Sequence, residues 1–233
     1  MGSWKMNKPQ AIIFDMDGTL FQTETLLLPA YYRLFDRLRE EGLFEGPTPP
    51  EEYILSSLGM LLEAIWQRVM PDASEEARLR ADVLLLEEEL AGLKGGGSTL
   101  YPEVEEVLRK LHQQGVKLFV ASNGLEPYVK GVAEAHHIHE LFDGLYSAGG
   151  YRTSSKVDLV RILLKEHGIT SAWMVGDRSS DVEAGKENEL TVIGCTYAGF
   201  GGQEELIGAD FYINHFSELL SLYEQCMEQS SEM

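Results

Sequence analysis

The chain has 233 residues, of which 44% are apolar and 24% charged, a composition typical of a globular protein with a substantial buried core. Its net charge of −19 disfavours long-range attraction to nucleic acid or to an anionic membrane, so neither is expected as a partner. Two cysteines exclude a disulfide framework. Residues 1–10 lack the apolar segment of a secretory signal, and a cytoplasmic protein is expected.

The first predicted element is a buried strand that ends in two acidic residues. The apolar run Ala11–Phe14 predicts the strand, and Gly18 marks a turn after it. Asp15 and Asp17 therefore lie at the carboxyl end of the strand, where open α/β sheets bind their ligands. Because adjacent carboxylates repel one another, we expect a metal cation as their partner. The alternative is an Asx turn, in which each side chain bonds only to its own backbone.

Residues 22–98 show a different pattern, which is helical throughout. Helices are predicted over 26–41, 51–69 and 74–93, and the glycine-rich segment 94–98 predicts a flexible linker. An insertion of this length is typical of a lid or a second lobe. We therefore expect a helical cap domain at 22–98 and a core domain formed by 1–21 and 99–233. The acidic run Glu87–Glu89 is expected to form a solvated helix face.

From Pro102 onward, predicted strands alternate with predicted helices. The strands are expected at 116–120, 145–147, 172–175, 191–195 and 211–213, and the helices at 102–114, 126–135, 157–167, 181–187 and 217–224. Such alternation implies right-handed crossovers between parallel strands. The fold class expected for the whole chain is therefore α/β, a doubly wound parallel sheet with a smaller helical cap.

Polar groups follow several of the later strands. Ser122–Asn123 comes directly after the second strand, Asp177 follows the fourth, and Lys156 opens the helix after the third. In a parallel sheet all of them would lie at the edge that carries Asp15 and Asp17. Four separate segments that bring polar groups to one edge predict a functional site there.

A further acidic pair strengthens the case for a metal ion. Asp177 and Asp181 are four residues apart at the start of a predicted helix, so they are expected to share one face. The helix N-terminus would offset part of their repulsion. With the two acids after the first strand they form a group of about four carboxylates. Oxygen ligands without a nearby Cys or His favour Mg²⁺ over Zn²⁺ or copper.

These segments together resemble the motifs of the haloacid dehalogenase superfamily, in particular members with a helical cap of the phosphoglycolate phosphatase-like type. Asp15-Met16-Asp17-Gly18-Thr19 is similar to the first motif, Ser122-Asn123 to the second, Lys156 to the third, and Gly176-Asp177-Arg178-Ser179-Ser180-Asp181 to the fourth. The order of the motifs and their positions after strands also agree. The resemblance implies a Rossmann-like core and a phosphoric monoester hydrolase.

The resemblance also implies roles for these residues. Asp15 would be the nucleophile that forms an aspartyl-phosphate. Asp17 would protonate the leaving oxygen and later deprotonate the attacking water. Ser122, Asn123 and Lys156 would bind the phosphoryl oxygens. The substrate would be a small phosphorylated metabolite.

The implied cofactor is Mg²⁺. It would be bound by the Asp15 carboxylate, the backbone carbonyl of Asp17 and the Asp177 carboxylate, with Asp181 orienting a metal ligand or water. Asp17 also separates two branches of the superfamily, because halide departure needs no second acid. Its presence favours a phosphatase over a dehalogenase.

Two other functions stay open at this point. A sugar-phosphate mutase of the beta-phosphoglucomutase type would use the same two aspartates, and a protein without catalytic activity could use the cleft to bind a phosphometabolite. Phosphoglycolate, nucleotide monophosphates, sugar phosphates and pyrophosphate are all possible substrates. A monomer, or a dimer that leaves the cap free, is expected.

Overall fold

The computed structural model describes residues 8–58, 60, 62–199 and 203–231. Its strands are β1 (Ala11–Phe14), β2 (Lys117–Ser122), β3 (Gly144–Ser147), β4 (Ala172–Gly176), β5 (Thr191–Cys195) and β6 (Phe211–Ile213). Its α-helices are α1 (Glu24–Glu40), α2 (Glu51–Leu55), α3 (Leu62–Val69), α4 (Glu75–Lys94), α5 (Val104–Gln113), α6 (Glu126–Ala135), α7 (Ala148–Tyr151), α8 (Lys156–His167), α9 (Ser179–Glu187) and α10 (Glu218–Ser231). Parts of both predicted domains, 1–7, 59, 61, 200–202 and 232–233, lie outside the described residues.

The strands form one parallel sheet in the order β3-β2-β1-β4-β5-β6. The first strand of the chain is central, because Phe14 pairs with Val120 of β2 on one side and with Val175 of β4 on the other. All four residues of β1 are fully buried, as the apolar run in the sequence predicts. The carboxyl ends of β1, β2 and β4 are consequently neighbours at one edge of the sheet.

Helices cover both faces of the sheet. Successive residues of β1 point to opposite sides, so Ile12 and Phe14 contribute to one hydrophobic cluster, which includes residues of α5, α6 and α10. Ala11 and Ile13 contribute to a second cluster, which includes residues of α8 and α9. The expected α/β fold with a doubly wound parallel sheet is confirmed.

The four helices between β1 and α5 have a hydrophobic cluster of their own. Its large members include Tyr31 and Phe35 of α1 and Trp66 of α3, and none of these side chains is more than 1% exposed. The sequence predicted one helix over 51–69, and this is wrong: α2 ends at Leu55 and α3 begins at Leu62. The backbone changes its hydrogen bonding here, because the amides of Ser57 and Leu58 donate to the carbonyls three residues earlier, at 3.1 and 3.3 Å, instead of four.

The chain enters and leaves this helical segment at adjacent positions. Phe21 and Leu100 form an antiparallel bridge, the amide of Gln22 donates to the carbonyl of Thr99 at 2.9 Å, and the amide of Tyr101 donates to the carbonyl of Leu20 at 3.0 Å. Two short backbone segments therefore join the helical segment to the sheet. None of the described helices combines the length and the apolar character that crossing a bilayer would require.

Candidate active site

Asp15 extends β1 by one residue and lies at its carboxyl end. Its amide donates to the carbonyl of Val175 at 2.9 Å, and its side chain is only 3% exposed. Oδ1 of Asp15 accepts a hydrogen bond from Nζ of Lys156 at 2.7 Å, whereas the buried Oδ2 has no hydrogen-bond partner among the described residues. Burial raises the pKa of Asp15, the nearby Asp17 raises it further, and Lys156 opposes both effects.

Lys156 joins two of the strand-end segments. The helix that it begins is capped by Ser155, whose hydroxyl accepts the amide of Asp158 at 3.1 Å. The buried Nζ of Lys156 donates to Oδ1 of Asp15 and to Oδ1 of Asp181, the latter at 2.6 Å. Burial alone would lower the pKa of Lys156, but the two carboxylates raise it above its ordinary value. The lysine is therefore a fixed positive charge at this edge.

Three buried carboxylates converge beside that lysine. One carboxylate oxygen from each of Asp15, Asp177 and Asp181 lies within 4.8 Å of the other two. Burial and the other two carboxylates raise the pKa of Asp177 well above its ordinary value. Burial, opposed by Lys156, raises the pKa of Asp181 to about 6. Because one lysine does not neutralise three carboxylates, the cluster suits a hard divalent cation.

Asp177 and Asp181 do not share a helix face as the sequence predicted. The helix begins at Ser179, so Asp177 precedes it in the loop after β4. Oδ2 of Asp181 accepts the amide of Arg178, the residue before the helix, at 3.0 Å and so satisfies one of the free amides at the helix start. The two carboxylates approach each other through this turn, and Gly176 makes room for it, since a Cβ there would lie 2.2 Å from Cγ of Asp181.

Gly18 and Thr19 hold the loop after β1 against Asp177. The backbone at Gly18 has φ +81°, and a Cβ at that position would lie 2.5 Å from Oδ2 of Asp177. The hydroxyl of the buried Thr19 donates to Oδ1 of Asp177 at 3.2 Å. The glycine in the first motif is therefore required by both backbone conformation and space.

The carboxylate of Asp17 is held apart from the other three. Its Oδ1 accepts hydrogen bonds from the hydroxyl of Thr23, at 2.8 Å, and from the hydroxyl of Tyr128. Burial raises the pKa of Asp17, while both hydroxyl groups lower it. Tyr128 is not among the site residues predicted from the sequence. A signal for it exists, because Tyr128 lies on the buried face of α6 with Val129 and Val132.

Ser122 and Asn123 lie at the carboxyl end of β2, where the sequence predicted them. Ser122 is 1% exposed, and its hydroxyl oxygen accepts the amide of Gly124 at 3.0 Å. Both residues line the same cavity as Asp15 and Asp17. The structure thus brings all the sequence-predicted residues to one edge of the sheet, in two groups: those around Lys156 and those around the cavity.

The cavity lies between the sheet edge and the helical segment, with a volume of about 80 Å³. Glu89 of α4 lines it and is 8% exposed, so the prediction of a solvated face for the whole run Glu87–Glu89 is wrong. Burial and the charge of Asp17 raise the pKa of Glu89 well above its ordinary value. The spacing of four residues from Leu85 to Glu89 to Leu93, all buried, was the available signal.

Arg178 joins the loop after β4 to the helical segment. Its Nε lies 3.7 Å from Oδ2 of Asp177, and its Nη2 donates to the carbonyl of Leu55, at the end of α2, at 3.4 Å. The loop that carries Asp177 therefore contacts the helical segment directly.

Residues 9–188 match the model of the haloacid dehalogenase-like hydrolase family. The chain belongs to this family. The match covers β1, the helical segment and the strand ends that carry every residue of the site described above. The family membership expected from the sequence is confirmed.

Named relatives agree with this assignment. Phosphoglycolate phosphatase from Vibrio vulnificus is 28% identical over 222 residues, covering 91% of this chain and 94% of the relative. Pyrophosphatase PpaX from Listeria monocytogenes is 24% identical over 228 residues, covering 92% and 96%. The enzyme class expected from the sequence, a phosphoric monoester hydrolase of this family, is confirmed.

Solved structures share the fold over nearly the whole chain. A haloacid dehalogenase-like family hydrolase from Streptococcus pneumoniae has a TM-score of 0.79 at 23% identity, covering 94% of this chain and 100% of that one. CbbY from Rhodobacter sphaeroides, solved in complex with phosphate, has a TM-score of 0.76 at 25% identity, covering 91% and 96%.

Proposed function

We propose that this hydrolase is a magnesium-dependent phosphatase that acts on a small phosphomonoester through an aspartyl-phosphate. The observation that carries the proposal is the environment of Asp15. Lys156 holds one of its carboxylate oxygens, and the other, buried oxygen has no partner among the described residues. A carboxylate held in this way has a defined oxygen with which to attack phosphorus. The named phosphatase relatives support the same reaction class.

Asp17 is the proposed general acid and base. Burial raises its pKa above the ordinary value, which favours the protonated form that donates a proton to a leaving alkoxide. In the second step the ionised carboxylate would take a proton from the water that attacks the aspartyl-phosphate. Ser122, Asn123 and Lys156 are the proposed ligands of the phosphoryl oxygens, where hydrogen bonds and positive charge stabilise the transition state.

Magnesium is the proposed cofactor because the residues present fit it. The carboxylates of Asp15, Asp177 and Asp181, which converge at this edge of the sheet, supply oxygen ligands only. The backbone carbonyl of Asp17 is a further proposed ligand, and Asp181 would orient a ligand or water. When bound, the ion would polarise the phosphoryl group and offset the negative charge that develops there.

The helical segment is the proposed cap. We assign residues 22–98 to it and residues 1–21 and 99–233 to the core, because the segment has its own hydrophobic cluster and covers the cavity. Closure of such a cap would exclude water from the aspartyl-phosphate. A small phosphorylated metabolite is the proposed partner. The cytoplasmic location and the monomeric or dimeric state stay predictions from the sequence.

The substitution Asp15→Asn tests the nucleophile. We expect it to abolish turnover of a general ester such as p-nitrophenyl phosphate while the unfolding curve stays close to that of the wild type. Retention of rate within about tenfold, equivalent to ~1.4 kcal/mol of barrier, would exclude Asp15 as nucleophile. In crystals soaked with beryllium fluoride and Mg²⁺, density bonded to Asp15 is the expected result. Phosphate release without a sugar-bisphosphate activator would separate hydrolysis from mutase chemistry.

A further inference from the structure

The cavity has two chemically distinct ends. Asp15, Asp17 and the Ser122–Asn123 segment form the end at the sheet edge, where the phosphoryl group is proposed to bind. The other end is formed by the helical segment, and its lining is mostly aliphatic, including Leu27, Ile54, Leu58, Ile65 and Leu85. The leaving group of the substrate would occupy this second end.

The charged groups at the second end are both acidic. Glu89 and Asp82 of α4 line it, and none of the described lining residues is Lys, Arg or His. The nearby cations are engaged elsewhere, because Lys156 pairs with Asp15 and Asp181, and Arg178 lies beside Asp177. A leaving group with a carboxylate or a second phosphate would therefore find acidic side chains and no counter-ion in an aliphatic setting, which is strongly unfavourable.

Glu89 is the group at this end that is open to a ligand. It is more than nine-tenths buried, and among the described residues no ion pair or hydrogen bond to its side chain is found. Asp82, in contrast, accepts a hydrogen bond from the indole of Trp66. A buried carboxyl group without a partner is costly in a folded protein unless a ligand satisfies it.

From this arrangement we infer that the substrate is a phosphomonoester of a short amino alcohol, whose ammonium group pairs with Glu89. The inference rests on the proposed phosphatase function and names its substrate class. The phosphoryl group passes from the alcohol oxygen to Asp15 and then to water, and Asp17 supplies the proton that the alcohol oxygen gains. The products are the free amino alcohol and inorganic phosphate. Charge complementarity thus favours a substrate unlike phosphoglycolate or pyrophosphate, which are anionic at both ends.

Three esters of nearly equal size test the inference: aminoethyl phosphate, hydroxyethyl phosphate and carboxymethyl phosphate, which is phosphoglycolate. Their leaving groups are cationic, neutral and anionic. We expect kcat/KM of the wild-type enzyme to fall in that order, with at least about tenfold between the first and the last. In Glu89→Gln we expect the ratio of the first to the last to fall by about tenfold or more, because the ammonium loses its counter-ion.

The matched control is Glu87→Gln, two residues away on the same helix. The Glu87 side chain is 47% exposed, pairs with Arg37 and does not line the cavity, so the ratio is expected to stay at its wild-type value. Fastest hydrolysis of carboxymethyl phosphate by the wild type would overturn the substrate class. An unchanged ratio in Glu89→Gln would overturn the role of Glu89. Hydrolysis of p-nitrophenyl phosphate in either case would leave the phosphatase function standing, whereas no hydrolysis of any ester would overturn both.

Discussion

The hydroxyl group of Tyr128 donates a hydrogen bond to Oδ1 of Asp17, although the two residues are 111 positions apart in the chain. The contact joins α6 to the loop after β1 and fixes the side chain that we propose as general acid and base. Thr23 donates to the same oxygen from the start of the helical segment. The orientation of Asp17 thus depends on contacts from α6 and from the helical segment.

The substitution Tyr128→Phe tests this positioning role. We expect kcat to fall by about tenfold with little change in KM. Without this hydrogen bond the Asp17 carboxyl group is no longer held in the orientation that proton transfer requires. Since the Tyr128 hydroxyl lowers the pKa of Asp17, its removal is expected to shift the alkaline limb of the kcat profile to higher pH. Tyr212→Phe, an exposed tyrosine remote from the cavity, serves as the control. Equal kcat values and pH profiles in the two variants would contradict the assignment.

Gly18→Ala is expected to damage the site more than a glycine substitution in the linker. At Gly18 the added Cβ meets both a positive φ and the Asp177 carboxylate, whereas at Gly96, with φ +71°, no heavy atom lies within 4 Å. We expect Gly96→Ala to cost about 1 kcal/mol from backbone strain and Gly18→Ala about 3 kcal/mol or more. Urea unfolding measures both, and calorimetry should show weaker Mg²⁺ binding in Gly18→Ala alone. If the two variants lose equal free energy of unfolding and bind Mg²⁺ equally well, the close contact between position 18 and Asp177 carries no energetic penalty.

Lys156→Met is expected to lower the free energy of unfolding by about 3–5 kcal/mol, because it leaves Asp15 and Asp181 buried without their cation. Lys130→Met is the matched control. Lys130 forms an exposed pair with Glu126 on α6, and such pairs contribute at most about 0.5 kcal/mol. Chemical denaturation at neutral pH without added metal compares the two. A loss below about 1 kcal/mol in both would show that the buried lysine does not stabilise the carboxylates.

The raised pKa values of Asp177 and Asp181 make the stability of the metal-free protein pH-dependent. Each group binds its proton more tightly in the folded chain than in the unfolded chain. Its stabilising contribution to the free energy of unfolding is therefore complete below the ordinary pKa of 3.8. The contribution of Asp181 is lost as pH rises through about 6, and that of Asp177 is lost as pH rises through its own raised pKa. We therefore expect a lower free energy of unfolding at pH 8 than at pH 5 in the presence of a chelator.

Added Mg²⁺ should reverse part of that loss. At a concentration of about 100 times its Kd, the ion is expected to raise the free energy of unfolding at pH 8 by about 2.7 kcal/mol, and K⁺ at equal ionic strength is not. Asp177→Asn should flatten the pH dependence and weaken the Mg²⁺ effect. Asp36→Asn, at an exposed position, should leave both unchanged. A metal-free protein that is equally stable at the two pH values would contradict the shifted pKa values.

Most of the site residues predicted from the sequence lie at or next to a strand end, and the other two, Lys156 and Asp181, lie in the first turns of α8 and α9. A short apolar run such as Ala11–Phe14 is a local signal, and parallel pairing then brings Asp15, Ser122 and Asp177 to one edge without knowledge of any side-chain contact. One long predicted helix is replaced by α2 and α3, because the backbone amides after α2 bond to carbonyls three residues earlier, a change that hydrophobic periodicity does not detect.

The roles of Tyr128 and Glu89 could not be predicted in this way, because each depends on how two secondary-structure elements pack together. Both lie in helices whose internal pattern was predicted well, but the tyrosine acquires a partner only when α6 meets the loop after β1. The glutamate becomes buried only where α4 lies over the cavity. In the sequence, each of the two is a polar residue among the apolar positions of one helix face. Most residues of that kind have no catalytic role.

The adjacency of Phe21 and Leu100 has a consequence for how this protein can vary. The chain leaves and re-enters the core at hydrogen-bonded neighbours. The inserted segment is therefore a closed loop whose two ends are held next to each other. The entropy of closing a loop changes only slowly with its length. Insertions, deletions and substitutions in the inserted helices are therefore expected to have little effect on the strands that position Asp15 and Asp177. One catalytic edge can serve many leaving groups, and new specificity can evolve without a new fold.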